Sequence, residues 1–165
     1  MTAIDTKARL DDDFRSAMRR VASTVNIITI CVDGHPMGIT ATAMSSLAMD
    51  PPSLLVCINR SASLHGSMTD VSHFGVNVLH QDQQQLAKLF ADSSMRELRF
   101  ASGWHMDAKA PPRLPHAQAS ILCRRTDHHV FGTHSIFIGV VEDVVLRDDI
   151  DPLVYLDGNF RTARD

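Results

Sequence analysis

Short apolar runs punctuated by turn-forming residues recur along most of the chain, and this pattern predicts strands far more often than helices. "TVNIITICV" (24–32) is dense in β-branched residues, and Asp33-Gly34 after it is a hairpin signal, so "MGITAT" (37–42) is expected to return as its partner. "SLLVCIN" (53–59) reads as a buried central strand and "HFGVNVL" (73–79) as another. "QASILCRRT" (118–126), "SIFIGVVEDVVL" (135–146) and "PLVYL" (152–156) complete the strand candidates. "SSLAMDPP" (45–52) is not expected to continue the second strand regularly, because Pro51 and Pro52 lack ladder donors.

Helical periodicity is confined to a few segments. A cap at Asp12 or Asp13 is expected to open a short helix with Phe14, Met18, Val21 and Ala22 on one face. "DQQQLAKLFA" (82–91) places Leu86, Leu89 and Phe90 together, and "SASLHGSM" (61–68) reads as a short capped helix. The stretch from Met95 to Pro115 reads as loop, stiffest at "APPRLP". Six or seven strands with two or three helices inserted predict a mainly β fold, a barrel with appended helices, in a single domain over 1–165. The alternation is too irregular for a doubly wound sheet, and neither a GxGxxG turn nor a GxxxxGK[ST] loop is present. A nucleotide bound here needs another kind of cradle.

Composition narrows the setting. A net charge of −3 gives no electrostatic case for nucleic acid or an anionic membrane. The N-terminal twenty residues lack a signal peptide's apolar centre and no run approaches a membrane span, so a cytoplasmic protein is expected. Cys31, Cys57 and Cys123 fall in strand-like runs and read as buried free thiols. The nine histidines show no HExxH spacing, and the neighbours His128 and His129 would point to opposite faces of a strand, so no metal site is expected.

The candidate chemistry lies in "GITATAMSSLAMDPPSLLVCINRSASLHGSM" (38–68), which gathers the hydroxyls of Thr40, Thr42, Ser45, Ser46, Ser53, Ser61 and Ser63 around an apolar strand. A flavin needs hydroxyls, backbone N–H groups or an Arg for its phosphate, scattered polar partners for its ribityl chain and an apolar wall for its ring. The alternative is ordinary turn and strand chemistry, with Ser61 capping a helix and the threonines as β-formers. In "GTHSIFIGVVEDV" (132–144), His134 stands at a strand mouth, where it is either a nicotinamide-orienting imidazole or a solvent-facing polar residue.

Those two stretches, with "FGVNVLHQDQQQLAKLFA", the pair Arg99-Phe100 and "PLVYLDGNFR", together resemble the short-chain flavin reductases, the reductase components of two-component flavin-dependent monooxygenases. The resemblance runs from about Phe14 to Arg161. It implies an FMN-binding split β-barrel, usually a homodimer, that uses NADH or NADPH to reduce free FMN or FAD and passes the product to a monooxygenase component. By position it implies that Thr42, Ser45, Ser46, Asn59, Ser61, Ser63, Arg99 and Phe100 meet the flavin, and that His134 is catalytic beside the nicotinamide. Thr133 stands where the family often has Asp, and Asn159-Phe160 stand where it often has Arg-Tyr. Two other functions fit the same barrel: a flavin carrier without its own hydride donor, and an oxidase of the pyridoxamine-phosphate type that retains its flavin.

Overall fold

A computed structural model describes residues 3–164. After helix α1 (Ala3–Met18) come β1 (Ser23–Thr24), the hairpin β2 (Asn26–Val32) and β3 (His35–Ala41), then β4 (Met44–Met49) and β5 (Pro52–Asn59). Helix α2 (His65–Met68), β6 (His73–Val78) and α3 (Gln84–Ala91) follow. The small strands β7 (His105–Asp107) and β8 (Ala110–Arg113) precede the long hairpin β9 (Ala119–Phe131) and β10 (His134–Leu146), and β11 (Val154–Leu156) and β12 (Asn159–Arg161) close the chain. The fold is mainly β, as the apolar pattern predicts.

One antiparallel sheet of seven strands, ordered β3-β2-β6-β9-β10-β5-β4, makes the body. Laid flat, six strand spacings of about 4.8 Å would separate its edges by about 29 Å. Yet β3 ends at Ala41 and β4 begins at Met44, so three peptide steps hold the edges within about 11 Å of each other at that end. The sheet must therefore curl. No ladder joins β3 to β4, and the result is a barrel split between its two edges.

Burial explains why the strands read as apolar runs rather than clean alternations. Ile28 and Ile30 of β2 join Leu54, Val56, Ile58, Phe74, Val76 and Phe137 in the main cluster. Ile27, on the opposite face of the same strand, packs with Ala87 and Phe90 of α3 in a second one. Two buried polar side chains of the sheet find partners in the segment around β8: Thr29 Oγ1 donates to Pro112 O at 2.7 Å, and Asn77 Oδ1 accepts from Leu114 N and Ser120 Oγ. These bonds pin the β8 segment to the sheet.

Three expectations need correction. Helix α1 starts well before Asp12 and Asp13, which lie inside it and pair with Arg15 at 3.0 Å and Arg9 at 3.5 Å. No glycine or proline interrupts that segment, and the Lys7–Asp11 pair adds i,i+4 support. Val21 and Ala22 fall beyond the helix, and Leu10, Phe14 and Met18 face outward. Residues 44–49 do not continue β3, in line with the expectation, but form a strand of their own, β4, laddered to β5 with an irregularity between Ser46 and Ala48, because Pro51 and Pro52 sit in the connecting turn and at the start of β5 rather than inside β4. The stretch 95–115 carries a 3-10 turn (Ser93–Leu98) and the β7–β8 pair. Of the three free thiols only Cys123 is fully buried; Cys31 and Cys57 are half-buried. Among the described residues no helix is long and apolar enough to cross a membrane.

Candidate functional site

A cavity opens where the barrel splits, and its volume of about 480 Å³ lies within the range of small-molecule and cofactor sites. The end of β3 and the two-residue link to β4 form one side with Ile39, Thr40, Ala41, Thr42 and Ala43. Cys57, Ile58 and Asn59 at the end of β5, and His134 at the start of β10, form the floor and far wall. Ser61, Ala62 and Ser63 follow from the loop after β5, and Phe90, Ala91, Ser93, Arg96 and Arg99 close the side below α3.

Six of the nine residues expected at a site are brought together here: Thr42, Asn59, Ser61, Ser63, Arg99 and His134. Ser45, Ser46 and Phe100 do not line this cavity. Ser45 and Ser46 lie on β4 opposite Leu55 and Leu54, where Ser45 Oγ donates to Ser46 O. Phe100 packs edge-on against Phe90 and Trp104, both at centroid distances of 5.1 Å, and borders a smaller adjoining pocket. The short helix expected from Ser61 is only the four-residue α2, which has no side-chain cap. Ser61 instead turns the chain, its N–H and hydroxyl both donating to Asn59 Oδ1 at 2.9 and 2.8 Å.

The two arginines of this wall differ in their commitments. Arg99 is 6% exposed and ties three elements together, with Nη1 donating to Gly38 O and Nη2 to Asp92 O, each at 2.7 Å. Burial lowers its pKa, the Arg96 charge lowers it further, and Asp92 acts in the opposite direction. Arg96 lines the cavity from the exposed 3-10 turn, and among the described residues its guanidinium has no hydrogen bond or ion pair. Thr42, Ser63 and Ser93 likewise keep their hydroxyls uncommitted, whereas Thr40 Oγ1 is spent on Ala87 O at 2.7 Å. Sequence reasoning missed Arg96, three positions before the Arg99-Phe100 pair; only the 3-10 turn reveals that both arginines reach one cleft.

At the far wall, His134 stands directly opposite Asn59 in the β10–β5 ladder. Thr133 Oγ1 lies 2.9 Å from Nδ1 of the imidazole. A neutral hydroxyl thus holds the ring, and among the described residues Nε2 has no hydrogen-bond partner. Cys57, two residues earlier on the same face of β5, has its thiol pKa pushed up by burial. A protonated thiol, Ile39, Ile58 and Phe90 give the cleft an apolar part suited to a flat ring, while hydroxyls and Arg96 offer partners for a polar, anionic tail.

Known proteins resemble the chain over most of its length. Residues 18–164 match the model of the flavin reductase like domain. The chain is 40% identical over 154 residues to the reductase component of an FADH(2)-dependent resorcinol hydroxylase from Rhizobium sp., covering 92% of this chain and 86% of that protein. It is also 40% identical over 150 residues to the FMN reductase (NADH) RutF of Stutzerimonas stutzeri, with 90% and 86% covered. Among solved structures it resembles BorF, the flavin reductase component of a bacterial two-component tryptophan halogenase, with a TM-score of 0.85, 34% identity and coverage of 94% and 99%.

Proposed function

Because the chain belongs to the flavin reductase like domain family, we propose that it reduces FMN or FAD with NADH and passes the reduced flavin to a separate oxygenase. One observation carries the reading. A single cleft at the barrel split combines an apolar floor, the uncommitted guanidinium of Arg96, the uncommitted hydroxyls of Thr42, Ser63 and Ser93, and His134. These residues would hold a flavin, with Cys57 and Ile58 offering apolar surface for its ring and Arg96 a charged partner for its phosphate. A bound flavin supplies the hydride acceptor at N5 for nicotinamide C4.

The chain's own groups bind and orient. His134 Nε2, with Nδ1 engaged by Thr133, is placed to hold the carboxamide of a nicotinamide so that its ring faces the cleft. Hydride transfer depends steeply on that geometry. No nucleophile is needed, which agrees with a floor whose one thiol is kept protonated by burial.

The working unit is proposed to be a homodimer. Helix α1 turns Leu10, Phe14 and Met18 to solvent, and Val21 just beyond it is also exposed. An amphipathic helix gains most of its stability by packing such a stripe, and a second copy of the chain provides the cover. Sedimentation at micromolar concentration is expected to give a dimer; a fully active monomer would contradict this.

Steady-state NADH consumption tests the function itself. Added free FMN or FAD is expected to raise the rate saturably, with reduced flavin accumulating when oxygen is excluded. A carrier would bind flavin without speeding NADH consumption, and an oxidase would keep its flavin through purification and turn over another substrate.

A further inference from the structure

The ladder that brings His134 to the cavity continues one strand further, and its next member is Phe131. His134 is paired with Asn59 of β5 on one side and with Phe131 of β9 on the other. Directly opposed residues of antiparallel strands point to the same face of a sheet. Asn59, His134 and Phe131 therefore form one row, of which the first two line the cavity and the third stands next to His134 outside that lining. Phe131 is 83% exposed.

The tip that carries it is fixed. Gly132 has φ of +55° and Thr133 follows in a two-residue turn, the arrangement that matches the twist of the flanking strands. Arg60 N donates to Thr133 O at 2.9 Å, and Arg60 Nη1 donates to Gly132 O at 3.5 Å. A flat side chain on a braced hairpin is pre-organised, so contact with a ligand orders little that was free before.

We propose that Phe131 is a binding residue for the pyridine nucleotide, a platform on which one of its flat rings stacks as it enters over His134. This rests on the function proposed above. It assigns to the exposed hairpin tip a part in selecting a planar, aromatic donor, and it places the donor's entry on the β9 side of His134 rather than beneath α3. The ring is either the nicotinamide, covered on its outer face, or the adenine lying further out along the row.

Phe131→Ala, Phe131→Leu and Phe131→Trp test this, with NADH and reduced nicotinamide mononucleotide as alternative donors. Stacking on an aromatic side chain is worth about tenfold in affinity. Phe131→Ala is expected to raise the KM for NADH by about that factor while sparing kcat and flavin affinity. Phe131→Trp should restore the KM, and Phe131→Leu should not. If the mononucleotide suffers equally, the stacked ring is the nicotinamide; if only NADH suffers, it is the adenine. An unchanged KM in Phe131→Ala overturns the proposal and leaves the proposed function standing. So does a parallel loss of flavin affinity and of dimer in sedimentation, which would make Phe131 a subunit-packing residue. A wild-type protein unable to oxidise NADH when flavin is added would overturn both.

Discussion

Arg99 Nη1 donates to the backbone carbonyl of Gly38 at 2.7 Å across 61 residues of sequence, tying the 3-10 turn below α3 to strand β3. Its Nη2 holds Asp92 O, and its guanidinium carbon stands 5.6 Å from the Phe90 ring centre. Each hydrogen bond to a charged donor is worth about 1.5–3 kcal/mol. Arg99→Met, which keeps the bulk and removes both bonds, is expected to destabilise the fold by about 3 kcal/mol. Urea denaturation measures this; an unchanged midpoint would mean that water replaces the guanidinium at no cost.

Arg96 should respond in the opposite way. Its side chain lines the same cavity without an intramolecular partner, so Arg96→Ala is expected to leave thermal stability unchanged and to weaken flavin binding about tenfold to a hundredfold. Quenching of Trp104, the sole tryptophan, provides the titration, since its indole donates to Arg99 O at 3.1 Å beside the cavity wall. Equal flavin affinity in the variant would remove Arg96 from the site.

The contrast between these arginines shows what the sequence makes legible. The hairpin at Asp33-Gly34, the strands 53–59 and 135–146 and the helix at 82–91 follow from period and turn chemistry, which are local. The gathering of Thr42, Asn59, Ser61, Ser63 and His134 in one cleft agrees with the family resemblance. Ser45, Ser46 and Phe100 stand elsewhere because strand β4 and the Phe90–Phe100–Trp104 cluster take them, choices made by long-range packing. Nothing in "SSMRELRF" distinguishes the arginine that holds carbonyls from the one left free. That depends on whether a carbonyl of β3 lies within reach. Helix α1 extends further than its caps suggest because propensity and i,i+3 and i,i+4 ion pairs carry it, with its apolar stripe exposed.

His65 gives the account a pH dependence. Burial lowers its pKa, with the charges of Arg60 and His128 adding to the effect, and its Nε2 lies 2.8 Å from the buried Ser135 Oγ. The folded protein thus binds fewer protons at this site than the unfolded chain. Its contribution to stability is intact above the unfolded pKa of about 6.5 and declines as pH falls through that value toward the folded one. Unfolding midpoints of wild type and His65→Gln, compared on the two sides of that range, should converge on acidification. Parallel pH profiles would show that His65 titrates as it does in the unfolded chain.

Cys57 allows the flavin to be located without reference to catalysis. It is half-buried on the cavity floor, whereas Cys31, also half-buried, lies beside Ala108, outside this cavity. At mildly alkaline pH, which offsets the raised pKa of Cys57, FMN is expected to slow its alkylation and leave that of Cys31 unchanged. Mass spectrometry of the labelled peptides reads both thiols at once. Equal labelling with and without flavin would place the ligand elsewhere.

The central claim is that reduced nicotinamide and flavin meet at His134 in the split of the barrel. Anaerobic rapid mixing of flavin-loaded protein with NADH, following flavin bleaching across NADH concentrations, tests it most directly. Wild type is expected to bleach flavin at a rate that saturates with NADH. His134→Ala, with flavin affinity intact, is expected to be slower by about tenfold to a hundredfold at limiting NADH, the size of loss that follows from misplacing a reacting ring by about 1 Å. Bleaching at the wild-type rate across all NADH concentrations would contradict the account and leave His134 a residue of the strand mouth.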